Sequence, residues 1–221
     1  MLMAHIAYLF PGQGAQAVGM GKAFYDQFEE AKEVYRKAGK RLGFDVAALC
    51  FEGPQEELTK TERCQPALFV TSLAAVAALR RAAPNLKPVG AAGLSLGELT
   101  ALAAAQALSL EDGCYLVKAR GEAMAECAAR TRGSMVAIMG ASPDALEQLC
   151  RASGASPANY NTPEQVVLSG PVEAVEQAER IAKDYGAKRA IRLEVAGAFH
   201  SPLMQPAAET VKKVLAGIEL R

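Results

Sequence analysis

The sequence predicts an α/β protein: a parallel sheet covered on both faces by helices, with a smaller subdomain inserted near residue 132. Three observations carry this prediction. Up to about residue 130, short apolar runs alternate with longer stretches of helical periodicity, the pattern of parallel strands crossed over by helices. From about 134 to 195 the order changes to strand, helix, strand, strand, helix, strand. The composition suits a well-buried core, with 51% hydrophobic and 22% charged residues and 24 Lys+Arg against 24 Asp+Glu. Disordered chains show the reverse, few apolar residues and a large net charge.

Taken in order, residues 4–10 (AHIAYLF) are a short apolar run stopped by Pro11-Gly12. A polar, Gly-rich loop follows to Gln16, so the segment reads as a buried strand feeding a loop. Residues 22–42 place Phe24, Phe28, Ala31, Val34, Tyr35 and Ala38 near helical spacing. Residues 65–83 are apolar on nearly every side, as a buried helix is, and Pro84 ends them. PVGAAGLS at 88–95 reads as a second strand of small residues, with helices over 96–108 and 110–130. SMVAIMG at 134–140 is a strand. The helix over 142–153 has Ser142 as its cap, Pro143 in its first turn and Asp144 at its positive end. Strands at 157–161 and 165–170 flank a turn at Thr162-Pro163-Glu164, a helix over 171–185 is closed by Gly186, and KRAIRLEV at 188–195 alternates as a half-exposed strand does. This order is the ferredoxin-like split βαβ. It places a small subdomain at 132–196 within a larger α/β unit made of 1–131 and 197–221, with a last helix at 200–217.

Several function classes fall away. A zero charge balance gives no basic excess to neutralise phosphates, so no nucleic-acid partner is expected. No apolar run is long enough for a transmembrane helix, and MLMAHIAYLFPGQG has no basic leader before its apolar stretch, so neither membrane nor export is expected. Cys50, Cys64, Cys114, Cys127 and Cys150 form no C-x-x-C pair, and His5 and His200 are the only histidines, so no zinc site is expected. The thiols read as reduced and mostly buried, in a cytoplasmic setting.

The sharpest local signal is Gly93-Leu94-Ser95-Leu96-Gly97, a G-x-S-x-G between a strand and a helix. A nucleophile on a tight strand-to-helix turn needs glycines two positions away, where the backbone crosses itself. The turn lifts the Ser95 hydroxyl into the open and aims the first helical N–H groups, chiefly that of Leu96, at a developing oxyanion. A serine needs a base. His5 lies inside the first strand and reads as structural. His200 follows the last strand, where α/β sheets place their chemistry, and it suits either a base or a helix-cap histidine. The loop Pro11-Gly12-Gln13-Gly14-Ala15-Gln16 follows a strand at the same sheet edge. Gln13 there suits a second oxyanion N–H, and the loop also suits a phosphate cradle or a plain turn, although it lacks both the P-loop Lys-Ser/Thr and G-x-G-x-x-G.

FPGQGAQ at 10–16, GLSLGE at 93–98, LVKARGEAM at 116–124, NYNTPEQVVLSG at 159–170 and GAFHSPLM at 197–204 occur in one order and spacing. In these the chain resembles the malonyl-CoA:acyl carrier protein transacylases, the acyltransferase domains of fatty acid and polyketide synthesis, along essentially its whole length. The resemblance implies a hydrolase-like α/β body with a ferredoxin-like insert. It also implies transfer of a malonyl group from malonyl-CoA to the phosphopantetheine thiol of acyl carrier protein, with no metal or redox cofactor. Ser95 would carry the acyl group, His200 would be its base, and the N–H groups of Gln13 and Leu96 would hold the oxyanion. Arg120 would bind the malonyl carboxylate; by its position alone it reads as a solvated helix arginine. A guanidinium fork suits a carboxylate, and holding that end places the thioester over Ser95. Phe199 beside His200 would crowd an α-methyl branch, a preference for malonyl over methylmalonyl groups.

Lys183, Lys188, Arg189 and Arg192 are candidates for a basic patch toward the acidic carrier protein, and equally for a solvated charged face. Many relatives carry His where this chain has Leu94. The family continues past the helix at 200–217 with further strands and a polar residue that orients the histidine, so a chain stopping at Arg221 implies a fragment or a remainder on a separate chain. If complete, it is expected to be a monomer. Two other readings stand beside transfer. One is a serine hydrolase or thioesterase, in which water replaces the thiol. The other is an inactive truncated module that binds a carrier protein or partner chain.

Overall fold

The computed structural model describes residues 6–221; Met1–His5, and with them His5 and the start of the strand at 4–10, lie outside the described residues. β1 (Ile6–Phe10) leads into the Gly-rich loop, and five helices follow: α1 (Lys22–Gln27), α2 (Glu29–Leu42), α3 (Val46–Glu52), α4 (Gln55–Thr59) and α5 (Thr61–Ala82). β2 (Pro88–Gly93) then pairs with β1 in parallel, and α6 (Leu96–Ala104) and α7 (Leu110–Arg130) complete this stretch.

The helix expected over 22–42 is two helices. Phe28 takes extended backbone (φ −125°, ψ 121°), ending α1 and starting α2, whose first turn carries Glu29 and Glu30 and whose last carries Lys40 and Arg41. α3 and α4 were not foreseen; Asp45 caps α3 by accepting from the Ala48 N–H at 2.9 Å. α5 starts at Thr61 rather than 65. Pro66 lies inside it, early enough to forfeit only the bond to the Glu62 carbonyl.

α5 packs on α2 and α6, and α6 packs on both strands. Phe69, Tyr35, Leu42, Val46, Leu58 and Leu96 are fully buried at the centre of this core. Gly113 lets α7 close on the Phe69 ring, where a Cβ would sit 2.3 Å from a ring carbon. Among the described residues the sheet is covered on one side only, not both as expected. Tyr8 and Phe10 point inward, whereas Leu9 and Val89 are 78% and 69% exposed.

The second stretch runs β3 (Gly133–Met139), α8 (Pro143–Ser153), β4 (Ser156–Thr162), β5 (Gln165–Pro171), α9 (Val172–Ile181), a 3-10 turn (Ala182–Tyr185), β6 (Arg189–Arg192), a 3-10 turn (Pro202–Met204) and α10 (Gln205–Leu215). Its four strands lie in the order β4-β5-β3-β6, each neighbour antiparallel. Strand alternation serves two cores. Val136, Ile138, Val166 and Leu168 face Leu149 and Val175 of the two helices, while Met135, Ala137 and Val167 face Met124, Cys127, Phe199 and Met204. Ser142 caps α8, accepting from the Ala145 N–H at 3.3 Å. The strand expected over 188–195 pairs only over 189–192, and the helix expected over 171–185 tightens to 3-10 in its last turn before Gly186 (φ 80°).

The chain divides into two units: Met1–Glu122 with Val211–Arg221, and Ala123–Thr210. No helix among the described residues is long and apolar enough to cross a membrane.

Candidate active site

The turn at Ser95 is built from backbone that no side chain can enter. A Cβ on Gly93 would lie 2.0 Å from the Gly97 carbonyl carbon, and one on Gly97 would lie 2.3 Å from the Phe10 oxygen. Real Cβ atoms do not approach so closely, so both glycines of G-x-S-x-G are steric necessities here. Gly12 joins the same crossing, since its Cβ would meet the Leu94 oxygen at 2.8 Å. The Leu94 N–H donates to the Phe10 carbonyl at 3.1 Å, which ties the turn to the end of β1.

Ser95 itself has φ 53° and ψ −103°, a left-handed φ that non-glycine residues rarely adopt. It occupies the N-cap of α6, and Leu96 is the first helical residue, whose N–H has no carbonyl one turn back. The Gly97 N–H donates to the Leu94 oxygen at 2.8 Å and the Glu98 N–H to the Ser95 oxygen at 3.2 Å, closing the turn tightly.

Arg120 reaches this turn from α7. Its Nη2 donates to Ser95 Oγ at 2.9 Å, and its Nη1 donates to Oε1 of Gln65, a fully buried residue of α5. The approach depends on Gly121, whose Cβ would meet the Glu62 Cα at 3.0 Å and the Thr61 oxygen at 3.1 Å, so α7 rests on the first turn of α5. Burial lowers the Arg120 pKa, and the nearby Glu98 carboxylate opposes that shift. A guanidinium stays charged in either case. The site thus holds a fixed, partly desolvated cation against the serine oxygen. Gln13 lies in the loop after β1, and its Nε2 donates to Thr61 Oγ1 at 3.3 Å, on the same first turn of α5. Gln65 and Thr61 were missed in the sequence. Gln65 is a lone carboxamide in an apolar helix, and that was the available signal.

His200 sits at the end of the segment after β6, also with a left-handed φ of 59°. The segment is anchored on both sides. A Cβ on Gly197 would lie 2.7 Å from the Ala128 Cβ, and one on Gly133 would lie 2.5 Å from the Ala198 Cβ. Ser201 Oγ donates to the Ala198 carbonyl at 2.7 Å and accepts from the Leu203 N–H. The Phe199 ring is buried among Met124, Met135 and Met204. Of the four candidate basic residues, Lys183, Lys188 and Arg189 are exposed, whereas Arg192 is tied to Glu179 at 2.6 Å and reaches Ser134 Oγ at 3.4 Å. Arg192 is therefore committed within its own unit. Among the described residues no group of His, Cys, Asp and Glu is placed to hold a metal ion.

Residues 7–221 match the acyl transferase domain family. The chain is 45% identical over 224 residues to the malonyl CoA-acyl carrier protein transacylase of Bacillus subtilis, covering 99% of this chain and 70% of that one. It is 40% identical to the mitochondrial malonyl-CoA-acyl carrier protein transacylase of Mus musculus, spanning 96% of this chain and 59% of the relative. Among solved structures, the malonyl CoA-acyl carrier protein transacylase of Clostridium perfringens superposes with a TM-score of 0.92 at 42% identity, covering 99% of this chain and 69% of that one. A second, at 38% identity and a TM-score of 0.92 over 99% of this chain and 72% of that one, is a malonyl-transacylase in complex with its type II polyketide acyl-carrier protein. The chain belongs to the acyl transferase domain family and, within it, to the malonyl CoA-acyl carrier protein transacylases.

Proposed function

We propose that this chain transfers a malonyl group from malonyl-CoA to the phosphopantetheine thiol of acyl carrier protein through a malonyl ester on Ser95. The observation that carries the reading is the Arg120 guanidinium held 2.9 Å from Ser95 Oγ by a buried carboxamide. A permanent two-pronged cation beside a nucleophile selects an acyl group that ends in a carboxylate. A plain esterase has no use for it.

Ser95 Oγ attacks the thioester carbonyl while its proton passes to the His200 imidazole. The N–H groups of Leu96 and Gln13 hold the oxyanion as it forms. Collapse breaks the C–S bond, and the departing CoA sulfur takes the proton from His200. In the second half the carrier thiol gives its proton to His200 and attacks the ester, and Ser95 leaves with that proton. Both halves are acyl and proton transfers, so the chemistry calls for no redox group. Arg120 holds the malonyl carboxylate throughout, which converts binding energy into orientation, and Gln65 positions Arg120. Phe199 crowds an α-methyl branch, and Lys183, Lys188 and Arg189 meet the acidic carrier. We also assign a hydrolase-like body to 1–131 and 197–221 and a ferredoxin-like insert to 132–196. The strand order β4-β5-β3-β6 supports the insert.

The test is intact-protein mass spectrometry after mixing with malonyl-CoA. A gain of about 86 Da that maps to Ser95 and vanishes in Ser95→Ala is expected for the acyl-enzyme. A folded sample that gains no mass refutes the reading.

A further inference from the structure

We infer that the second unit carries a ligand site of its own, between α8 and the β4–β5 hairpin, which takes a compact, uncharged apolar molecule. A cavity of about 650 Å³ lies there. That volume falls within the roughly 300–1,000 Å³ of small-molecule sites.

Its origin is visible in the packing. α8 uses Leu149 to pack on α9 and on the 3-10 turn after it, so its main partners are those elements rather than the strands. Pro143, Leu146, Glu147 and Cys150, one face of α8 by their spacing, are left looking over the hairpin. The floor is the apolar pair Val166 and Leu168 of β5. β4, the outer strand, shifts register at Pro157/Asn159 and again at Tyr160/Thr162, and such bulges bend a strand away from its sheet. Tyr160 stands at the mouth, 76% exposed, with an aromatic surface that a ligand would cover.

The lining also sets the charge of the occupant. Glu147 is its one ionisable acid, already paired with Arg151, and no Lys, Arg or His lines the cavity. The guanidinium beside the lining, that of Arg151, is engaged by Glu147, so an anion such as a CoA thioester or a fatty carboxylate meets a carboxylate and no cation in the lining itself. Burial and Glu147 raise the Cys150 thiol, so it stays protonated and adds no anion site. No residue of the Ser95 turn lines the cavity, and the inference does not depend on the transfer reaction.

Two fluorescent probes with the same rings test it on the full chain. N-phenyl-1-naphthylamine is neutral, and 1-anilinonaphthalene-8-sulfonate adds one negative charge. The neutral probe should bind one per chain, and the sulfonate about tenfold or more weaker. Cys150 is the one cysteine that is not buried, so its alkylation by iodoacetamide, run at alkaline pH where enough of the raised thiol ionises to react, reports occupancy. Saturating neutral probe should slow that alkylation at least severalfold, and Cys150→Trp should weaken probe binding about tenfold. Absence of binding, an equal or tighter sulfonate, or an unprotected Cys150 overturns the inference. The protection experiment uses the unaltered chain and decides the question even if Cys150→Trp fails to fold.

Discussion

Gln65 is the residue on which the selectivity argument can be tested most sharply. Its Oε1 accepts from Arg120 Nη1 in a fully buried setting, while the other prong of the same guanidinium reaches Ser95. Gln65→Met keeps the length and apolar bulk of the side chain and removes the carboxamide. A hydrogen bond to a charged group contributes about 1.5–3 kcal/mol. Spent on aiming Arg120, that energy corresponds to roughly a 10- to 100-fold loss in kcat/KM for malonyl-CoA. Acetyl-CoA has no carboxylate to hold, so its rate should change far less. Gln65→Glu is the informative companion: a carboxylate there pairs with Arg120 and competes with the malonyl group, so malonyl use should fall further than in Gln65→Met. The assay is kcat/KM for the two thioesters side by side, with urea unfolding of each variant. If both rates fall by the same factor, or stability drops while the malonyl-to-acetyl ratio holds, Gln65 is a structural residue and the reasoning is wrong.

Other outcomes follow from the same geometry. Gly97→Ala must push the Phe10 carbonyl away from a Cβ that would lie 2.3 Å from it, so urea unfolding should show a loss of about 3 kcal/mol or more; a change below about 1 kcal/mol contradicts the crossing described here. Phe199→Ser should cost about 2–4 kcal/mol by emptying part of its apolar cluster, and it should raise methylmalonyl-CoA use relative to malonyl-CoA; an unchanged ratio removes Phe199 from substrate choice. Burial pushes the Cys50 thiol up to about 11 and those of Cys64 and Cys114 up to about 12, against an ordinary value of 9.0. A raised pKa means that the folded state keeps its proton longer, so this stability is whole below pH 9 and is lost as pH climbs toward 11–12. Each thiol should withdraw roughly 1 kcal/mol by pH 10. The urea midpoint should therefore fall from pH 8 to pH 10, and less steeply in Cys114→Ala; an equal slope refutes that cause.

What could be read from the chain followed how local its physics is. The strand, turn and helix around Ser95 were legible because two glycines and a serine state a steric requirement within five residues. The β-α-β-β-α-β order was legible because Ser142, Gly186 and the alternation over 188–195 mark their own elements. Phe28 hid the break between α1 and α2, since its spacing suits the apolar face of one continuous helix. α3 and α4 are too short to show a period. Gln65 stands out in its sequence only as a carboxamide in an apolar helix; its role is not legible there because its partner lies in α7, which its own neighbours do not encode. Arg120 on position alone looked like a solvated helix residue, and only the resemblance gave it a role. The left-handed backbone of His200 had no signature, because neither Phe199 nor Ser201 demands it.

The triple crossing of Gly12, Gly93 and Gly97 also divides the neighbourhood of the nucleophile into codons that can be randomised and codons that cannot. A library aimed at new acyl groups gains nothing from positions 12, 93 or 97, where every replacement collides with main chain. Leu94, one residue before the serine and 52% exposed, is the opposite case. Its side chain leaves the crossing, so diversity placed there alters what surrounds the hydroxyl while the scaffold that presents it stays intact.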